Sequence, residues 1–246
     1  MIYFASDFHL GIDVKLTSAE REKLIVAWLD EIKQDATEIF LVGDIFDFWF
    51  EYKTVIPKGY TRLIGKLAEL RDEGIPITFF TGNHDMWMFD YFEKELGIPV
   101  LREPIVKTFN GKIFFIGHGD GLGPGDHGYK FIKKVFANRV CQWAFSFLHP
   151  SIGMSIAQFW SRKSRDSSRE ATEFLGPEKE WLVQYCERKL LSMEVDYFIF
   201  GHRHLPIDFT LSNGKSRYIN LGEWMNFNSY AKFDGKDIML SFYHND

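Results

Sequence analysis

Ile39-Phe40-Leu41-Val42-Gly43-Asp44-Ile45-Phe46-Asp47 sets the architecture that the rest of the 246-residue chain follows. Four apolar residues in a row are too few for a helix and fit a strand buried on both faces. The glycine that follows allows a sharp turn, and the strand then holds the carboxylate of Asp44 rigidly at its end. Taken alone, Gly-Asp after a strand is more often a turn than a site, and its weight here comes from repetition. Ile2–Ala5 runs into Ser6-Asp7-Phe8-His9, and Pro76–Phe80 into Thr81-Gly82-Asn83-His84-Asp85. Lys112–Ile116 runs into Gly117-His118-Gly119-Asp120, and Tyr197–Phe200 into Gly201-His202-Arg203-His204. Asp7 and His9 are two residues apart, which in extended backbone points both side chains the same way.

Between these strand ends the pattern alternates. Thr17-Ser18-Ala19-Glu20 has the form of a capping box, and Leu24, Trp28 and Ile32 recur at helical spacing, which predicts a helix to about Lys33. A second helix is expected over roughly Lys58 to Glu73, stopped near Gly74. Ile105–Phe109 and Lys112–Ile116 flank Asn110-Gly111 and read as an antiparallel hairpin. Pro177 to Met193 reads as a helix with proline in its first turn, and the turns Asn213-Gly214 and Asp234-Gly235 predict a closing antiparallel meander. Residues from about 121 to 170 break the strand rhythm, with Phe131, Val135, Phe136, Trp143, Phe147 and Ile156 at helix-like spacing. The expected fold class is α/β (α+β), two packed sheets flanked by helices, in one domain over 1–246 with a helical lid insertion at about 121–170.

Composition narrows the function classes. Hydrophobic residues make up 46% of the chain, with 25 Phe and 7 Trp, ample for one large core. A net charge of −5 argues against a dedicated nucleic-acid binder, so no nucleic-acid partner is expected. Cys141 and Cys186 are too few for a disulfide framework or a thiolate cluster, which points to a reducing compartment and leaves oxygen and imidazole as metal donors. The start lacks a basic, apolar signal segment and no apolar run reaches membrane-spanning length, so a cytoplasmic, soluble protein is expected.

Collected from five strand ends, Asp7, His9, Asp44, Asn83, His118, His202 and His204 form a donor set suited to octahedral first-row metals. Seven donors are too many for one ion that must also bind water and substrate, but suit two divalent ions sharing a carboxylate. Asp44 is the natural bridge, because a carboxylate can hold two cations roughly 3.5–4 Å apart, and such a pair generates hydroxide near neutral pH and neutralises a phosphoryl group. Any single histidine of the set would more often be an ordinary packed or surface residue; it is the five motifs together that point to metal.

Asp7-x-His9, Gly43-Asp44-x-x-Asp47, Gly82-Asn83-His84-Asp85, Gly117-His118-Gly119-Asp120 and Gly201-His202-x-His204 resemble, in order and across most of the chain, the five motifs of the calcineurin-like metallophosphoesterases. The resemblance implies a two-sheet β-sandwich flanked by helices and a dinuclear metal-dependent hydrolase of phosphoric esters or pyrophosphates. It places Asp7, His9, Asp44 and His204 on the first ion and Asp44, Asn83, His118 and His202 on the second. It also gives His84 a catalytic role beside Asp44, contacting substrate and helping the leaving oxygen depart. Asp47, Asp85 and Asp120 are expected to orient the ligands by hydrogen bonds. His127 and His149 are read as ordinary residues.

The insertion carries its own signal. From His127 to Arg169 there are eight cations (Lys130, Lys133, Lys134, Arg139, Arg162, Lys163, Arg165, Arg169) and one acid, Asp166, a net +7 in a chain of net −5. Phe131, Phe136, Trp143, Phe147, Phe159 and Trp160 lie among them. Interleaved aromatics and cations suit an amphiphile, with acyl chains in an apolar groove and cations on phosphates or an anionic membrane surface. The plainer alternative is a helical hairpin whose apolar side packs on the sandwich and whose basic face is solvated. The length favours function, since roughly fifty residues exceed what a connection needs.

Asp44-x-x-Asp47-Phe48-Trp49, Gly125-Asp126-His127-Gly128-Tyr129, the first motif close to Met1 and the helical lid resemble the bacterial branch of that family that cleaves the pyrophosphate of UDP-2,3-diacylglucosamine in lipid A biosynthesis and uses manganese. What this implies is an acylated UDP-sugar substrate, bound by Asn83, His84, Asp126, Ser164, Ser168, Arg169 and His202. It further implies two divalent metal ions, Mn2+ foremost with iron, cobalt or zinc also suited to the donors, and peripheral contact with the cytoplasmic face of the inner membrane. The best-known members of that branch have arginine after the motif asparagine, whereas this chain has His84, as in the wider family. A nucleotide, another phosphodiester or another lipid phosphate therefore stays open as substrate. A fold kept without chemistry typically lacks several ligands, and here none is missing.

Overall fold

Every residue of β1 (Ile2–Ala5) is buried because both faces of its sheet are covered. Ile2 and Phe4 enter a core with Phe40 and Val42 of β2 (Glu38–Val42), Phe80 of β3 (Ile77–Phe80) and Phe114 and Ile116 of β6 (Lys112–Ile116). Tyr3 and Ala5 face the other way, with Ile39 and Leu41, into a core completed by Trp28 and Leu67 of two helices. The continuous apolar runs in the sequence thus have the physical cause expected of doubly covered strands. The protein is described here from a computed structural model covering residues 1–123, 127–157 and 173–244.

Among the described residues the strands form two sheets. The first, in the order β11-β10-β1-β2-β3-β4, contains β4 (Val100–Leu101), β10 (Ser229–Phe233) and β11 (Ile238–Phe242). The second runs β5-β6-β7-β9-β8, with β5 (Ile105–Phe109), β7 (Tyr197–Phe200), β8 (Pro206–Thr210) and β9 (Arg217–Leu221). The sheets face each other across the core that holds Phe4, Phe114 and Ile199. Helices α1 (Ser18–Ile32) and α2 (Thr61–Asp72) cover the outer face of the first sheet, and α7 (Trp181–Leu190) that of the second. The two-sheet sandwich flanked by helices is the architecture expected from the sequence.

Local signals explain much of this. The capping box of α1 is formed: Glu20 N–H donates to Thr17 Oγ1 at 3.2 Å, and Thr17 N–H to Glu20 Oε2 at 2.9 Å. Helix α2 buries Leu63, Leu67 and Leu70, and its first N–H groups, from Arg62 and Leu63, donate to Glu22 of α1 at 2.8 and 3.1 Å. The Asn110-Gly111 hairpin has the predicted strands and register, with Ile105 opposite Ile116 and Phe109 opposite Lys112.

Two expectations need correction. The helix predicted from Pro177 begins at Trp181, because Glu180 is buried in an ion pair with Arg203 (3.1 Å) and held in extended backbone, leaving 177–179 as a turn. The closing strands do not form one meander. β8 and β9 pair antiparallel, but β9 lies parallel to β7 in the second sheet, while β10 crosses to the first sheet and pairs antiparallel to β1. Turn dipeptides specify a hairpin without specifying which sheet it joins; here Trp224, packed on Phe8 and Trp28, carries the chain across.

The described part of the insertion is helical: α4 (His127–Ala137), α5 (Arg139–Ser146) and α6 (residues 150–157). It docks through Phe136 and Phe145, whose rings meet Trp87 at 5.3 and 4.7 Å. Phe131, Val140, Trp143, Phe147 and Ile152 stay more than half exposed. Among the described residues a large part of the apolar face of these helices is thus turned to solvent.

Candidate metal centre

β1, β2 and β3 run parallel, as do β6 and β7, so the loops after their carboxyl ends emerge on one side, where such sheets place their sites. Strand-like pairing continues past the strands: Asp7 N–H donates to Gly43 O, His9 N–H to Asp44 O and Gly201 N–H to His118 O, each at 3.0 Å. Trp224 N–H donates to Asp7 O at 3.1 Å and ties in the loop after β9.

Asp7, His9, Asp44, His202 and His204 all have left-handed backbone, with φ of +55°, +44°, +53°, +67° and +54°. The extended geometry expected for Asp7-Phe8-His9 is thus replaced by two left-handed residues, which still bring both side chains to one place. Non-glycine residues rarely adopt this conformation, and they keep it where the surroundings over-determine it. Arg21 does so for His9. Fully buried on α1, it donates from Nε to Phe8 O at 2.8 Å and from Nη2 to His9 O and Ile12 O at 2.7 Å each.

The glycines before the ligands have a steric cause. A Cβ on Gly43 would lie 2.5 Å from His118 Nδ1, one on Gly201 2.5 Å from Asp7 Oδ2, and one on Gly82 would collide with the Asp44 carboxylate. At these three positions the glycine is the space that another motif's side chain occupies.

Asp44 stands at the middle. Its Oδ2 is 3.2 Å from His118 Nε2 and 3.8 Å from His9 Nε2, and its Oδ1 accepts the His84 N–H at 2.8 Å. Asp7 Oδ1 is 3.1 Å from His204 Nε2 and 3.7 Å from His9 Nε2, and Asp7 Oδ2 accepts the His202 N–H at 3.1 Å. Asp7, His9, Asp44 and His204 each bring a donor atom within 4.8 Å of the others, and so do Asp44, His118 and His202, with Asp44 common to both groups. Asp44 Oδ2, Asn83 Oδ1 and His118 Nε2 are buried without a hydrogen-bond partner. Buried polar atoms are rarely left so, and two divalent cations would satisfy them, so the residues present fit the ions that the donor set implies. His118 Nδ1 lies 2.8 Å from Val42 O; a carbonyl only accepts, so Nδ1 carries a proton and Nε2 is the nitrogen left for a cation.

Without cations, protons balance the charge. Burial pushes the His9 imidazole down, but Asp47 and Asp7 more than offset it and bring it to about 10; Asp44 does the same for His118, also about 10, against its burial. Burial and the neighbouring His118 lower His202 to about 4. Asp7 and Asp44 end below the usual carboxylate range in spite of burial, held there chiefly by His204 and His9 for the first and by His118 and His84 for the second.

Around this centre the three further aspartates do different things. Asp85 is fully buried and accepts four backbone N–H groups: Gly82 (2.7 Å) and Asp44 (3.3 Å) at Oδ1, Ile45 (2.8 Å) and Phe46 (3.4 Å) at Oδ2. It shapes the loop that carries Asp44 rather than touching a ligand side chain. Asp47 Oδ1 lies 3.6 Å from His9 Nδ1 and 3.7 Å from His84 Nδ1, while Asp47 O takes the His84 Nδ1 hydrogen at 3.0 Å. Asp120 pairs with Lys133 of α4 at 2.6 Å.

The structure thus brings together six of the candidate ligands, Asp7, His9, Asp44, His118, His202 and His204, and sets His84 against Asp44 and Asp47; Asn83 lies between Gly82 and His84 with its Oδ1 buried. Asp126, Ser164, Ser168 and Arg169 lie outside the described residues. Of the insertion's cations, Lys130 donates to Gly123 O at 2.6 Å and Lys133 serves Asp120, so both are used by the protein's own loop. Sequence reading missed Arg21 and Lys133. The first had a signal: positions 21, 25, 28 and 32 form the buried stripe of α1, and a cation on that stripe needs buried partners. His149 behaves as an ordinary residue, its Nδ1 accepting the Ser151 N–H at 3.3 Å.

A family model described as calcineurin-like phosphoesterase matches residues 1–206. A UDP-2,3-diacylglucosamine hydrolase of Porphyromonas gingivalis is 39% identical over 252 residues, covering 97% of this chain and 96% of that protein. One of Edwardsiella ictaluri is 27% identical over 245 residues, covering 96% and 90%. Among solved structures, an archaeal phosphodiesterase matches with a TM-score of 0.50 at 12% identity, covering 98% of this chain and 99% of that one, a likeness of fold alone. With the profile spanning most of the chain and all five motifs meeting at one site, the chain belongs to the calcineurin-like phosphoesterase family.

Proposed function

We propose that this protein is a metal-dependent hydrolase that cleaves the pyrophosphate of UDP-2,3-diacylglucosamine, giving UMP and 2,3-diacylglucosamine 1-phosphate. The observation that carries the chemistry is the sharing of Asp44 between two groups of converging donors. The substrate rests on relatives named UDP-2,3-diacylglucosamine hydrolase that match over nearly their whole length.

Asp7, His9, Asp44 and His204 would hold one ion, and Asp44, Asn83, His118 and His202 the other; Mn2+ is our choice, with iron, cobalt and zinc suited to the same donors. When bound, such a pair lowers the pKa of water and neutralises charge on the phosphoryl oxygens. The chain's own residues do the rest. Asp47 O holds the Nδ1 hydrogen of His84 and so fixes Nε2 as the nitrogen that gains or gives a proton at the phosphate. The His84 N–H holds Asp44 Oδ1, which keeps the bridging carboxylate in one orientation. Asp126, Ser164, Ser168 and Arg169 are the proposed lid contacts to the substrate.

No helix among the described residues is long and apolar enough to cross a membrane. The exposed side chains of Phe131, Trp143 and Phe147 on helices that also carry Lys134 and Arg139 support a peripheral contact with an anionic bilayer, where a substrate with two acyl chains resides. The second reading, a phosphodiesterase acting on a nucleotide or another lipid phosphate, draws its support from His84.

The test is an assay of the purified protein with manganese on UDP-2,3-diacylglucosamine beside generic phosphodiesters. Release of UMP at a kcat/KM well above that for the small esters is expected. A preference for nucleotide diesters, with no UMP from the lipid, would favour the second reading. Stripping metal with a chelator should abolish turnover on every substrate and readdition of manganese should restore it; full activity after verified metal removal would refute metal dependence.

A further inference from the structure

We propose that Lys133 is a positioning residue, one end of a strut by which α4 joins the two halves of the metal centre and thereby sets α4 and α5 beside it. The inference rests on the insertion being the part that receives the acyl chains. Three contacts define the strut. Lys133 Nζ pairs at 2.6 Å with the buried carboxylate of Asp120, two residues beyond His118 in the loop after β6. One turn earlier on the same face, Lys130 Nζ donates to Gly123 O of that same loop at 2.6 Å. One turn later, Phe136 O accepts the indole N–H of buried Trp87 at 2.7 Å, and the two rings pack edge to face at 5.3 Å.

Trp87 lies three residues after His84 in the loop following β3, which belongs to the first sheet, whereas Asp120 follows β6 of the second. Lys130 and Lys133 are neighbours one turn apart on α4, and Phe136 follows in its last turn, where carbonyls are free to accept. One helix thus grips the loop behind His118 through its lysines and the loop behind His84 through its last turn. Trp87 extends the grip to α5 by packing on Phe145 at 4.7 Å. The charge in this segment is accordingly not all available to a ligand: at Lys130 and Lys133 it fastens the insertion to the centre.

The joint predicts a split between substrates. A small ester reaches the cations without the insertion, but an acylated UDP-sugar needs α4 and α5 at a fixed distance from the phosphate site. Lys133→Met keeps the aliphatic stem and removes the charge from a partly exposed side chain, so the fold survives. We expect KM for the acylated UDP-sugar to rise about tenfold, with kcat on bis(p-nitrophenyl) phosphate within about twofold of the parent. Amide hydrogen exchange across α4 and α5 should quicken by about tenfold while β1 and β2 stay unchanged. Lys133→Arg should restore both, and Lys130→Met should shift both in the same sense by a smaller factor.

Unchanged exchange in α4 and α5 of Lys133→Met would overturn the joint. Quickened exchange with an unchanged KM for the acylated sugar would overturn its positioning role, and an equal loss on both substrates would do the same by placing Lys133 in service of the metal centre alone. If the parent protein does not turn over the acylated sugar, the substrate assignment falls, while the exchange measurement still decides whether the strut exists.

Discussion

Asp44→Ala is expected to lower kcat by about a thousandfold or more, because it removes the one carboxylate common to both donor groups and with it several kcal/mol of charge stabilisation at the phosphoryl group. The loss should be accompanied by a fall in bound metal from two ions per chain, measured by plasma mass spectrometry on protein purified with manganese. The variant also loses the acceptor of the His84 backbone N–H and leaves buried His118 without its carboxylate partner, so a fall in stability should accompany the loss of metal. Asp44→Asn keeps the acceptor for that N–H but lacks the charge, so it should bind metal poorly with a smaller loss of stability than Asp44→Ala. Near-parent turnover in either variant would show that the bridging assignment is wrong.

Asp85→Ala should act on stability first. Four backbone N–H groups converge on this buried side chain, from Gly82, Asp44, Ile45 and Phe46, and the variant leaves all four without an acceptor. At about 1–3 kcal/mol for each buried donor stranded, and allowing for relaxation and water entry, a destabilisation of about 3 kcal/mol or more is expected. Urea unfolding of the metal-free protein measures it without a contribution from ion binding. Burial and the nearby Asp44 push the Asp85 carboxyl up to about 7, so a neutral replacement costs little in charge, and Asp85→Asn, with one carbonyl acceptor left, should lose about half as much. Both variants should also bind metal more weakly, because the loop they loosen is the one that aims Asp44. A destabilisation below about 1 kcal/mol for Asp85→Ala would mean that these hydrogen bonds do not hold the loop.

How much of this was legible in the sequence follows from how local each cause is. The apolar run Ile39–Val42 and the glycine after it report strand burial and the steric demand at position 43, both fixed within a few residues. The Thr17–Glu20 capping box and the Asn110-Gly111 turn are likewise short-range, and both formed. The motif order picked out side chains that meet because parallel strands deliver their ends to the same side of a sheet.

What escaped depends on contacts between distant segments. Helix α3 (Tyr91–Leu96) has only six residues and no side-chain cap of its own; Glu51, forty residues away, accepts the N–H groups of Asp90 and Tyr91 instead. The start of α7 was displaced by the Glu180–Arg203 pair, and the last two strands changed sheets for reasons no turn dipeptide encodes. The left-handed backbone at Asp7 and His9 could not be read from an alternating pattern, because the buried guanidinium that supports His9 comes from α1. In the insertion, the count of cations was sound as a charge statement but silent on which of them the protein keeps for itself.

Anomalous diffraction from crystals grown with manganese tests the central claim most directly. Two peaks on either side of the Asp44 carboxylate are predicted, one among Asp7, His9 and His204 and the other among Asn83, His118 and His202. A single peak, or peaks that leave Asp44 without a cation on each side, would contradict the dinuclear centre.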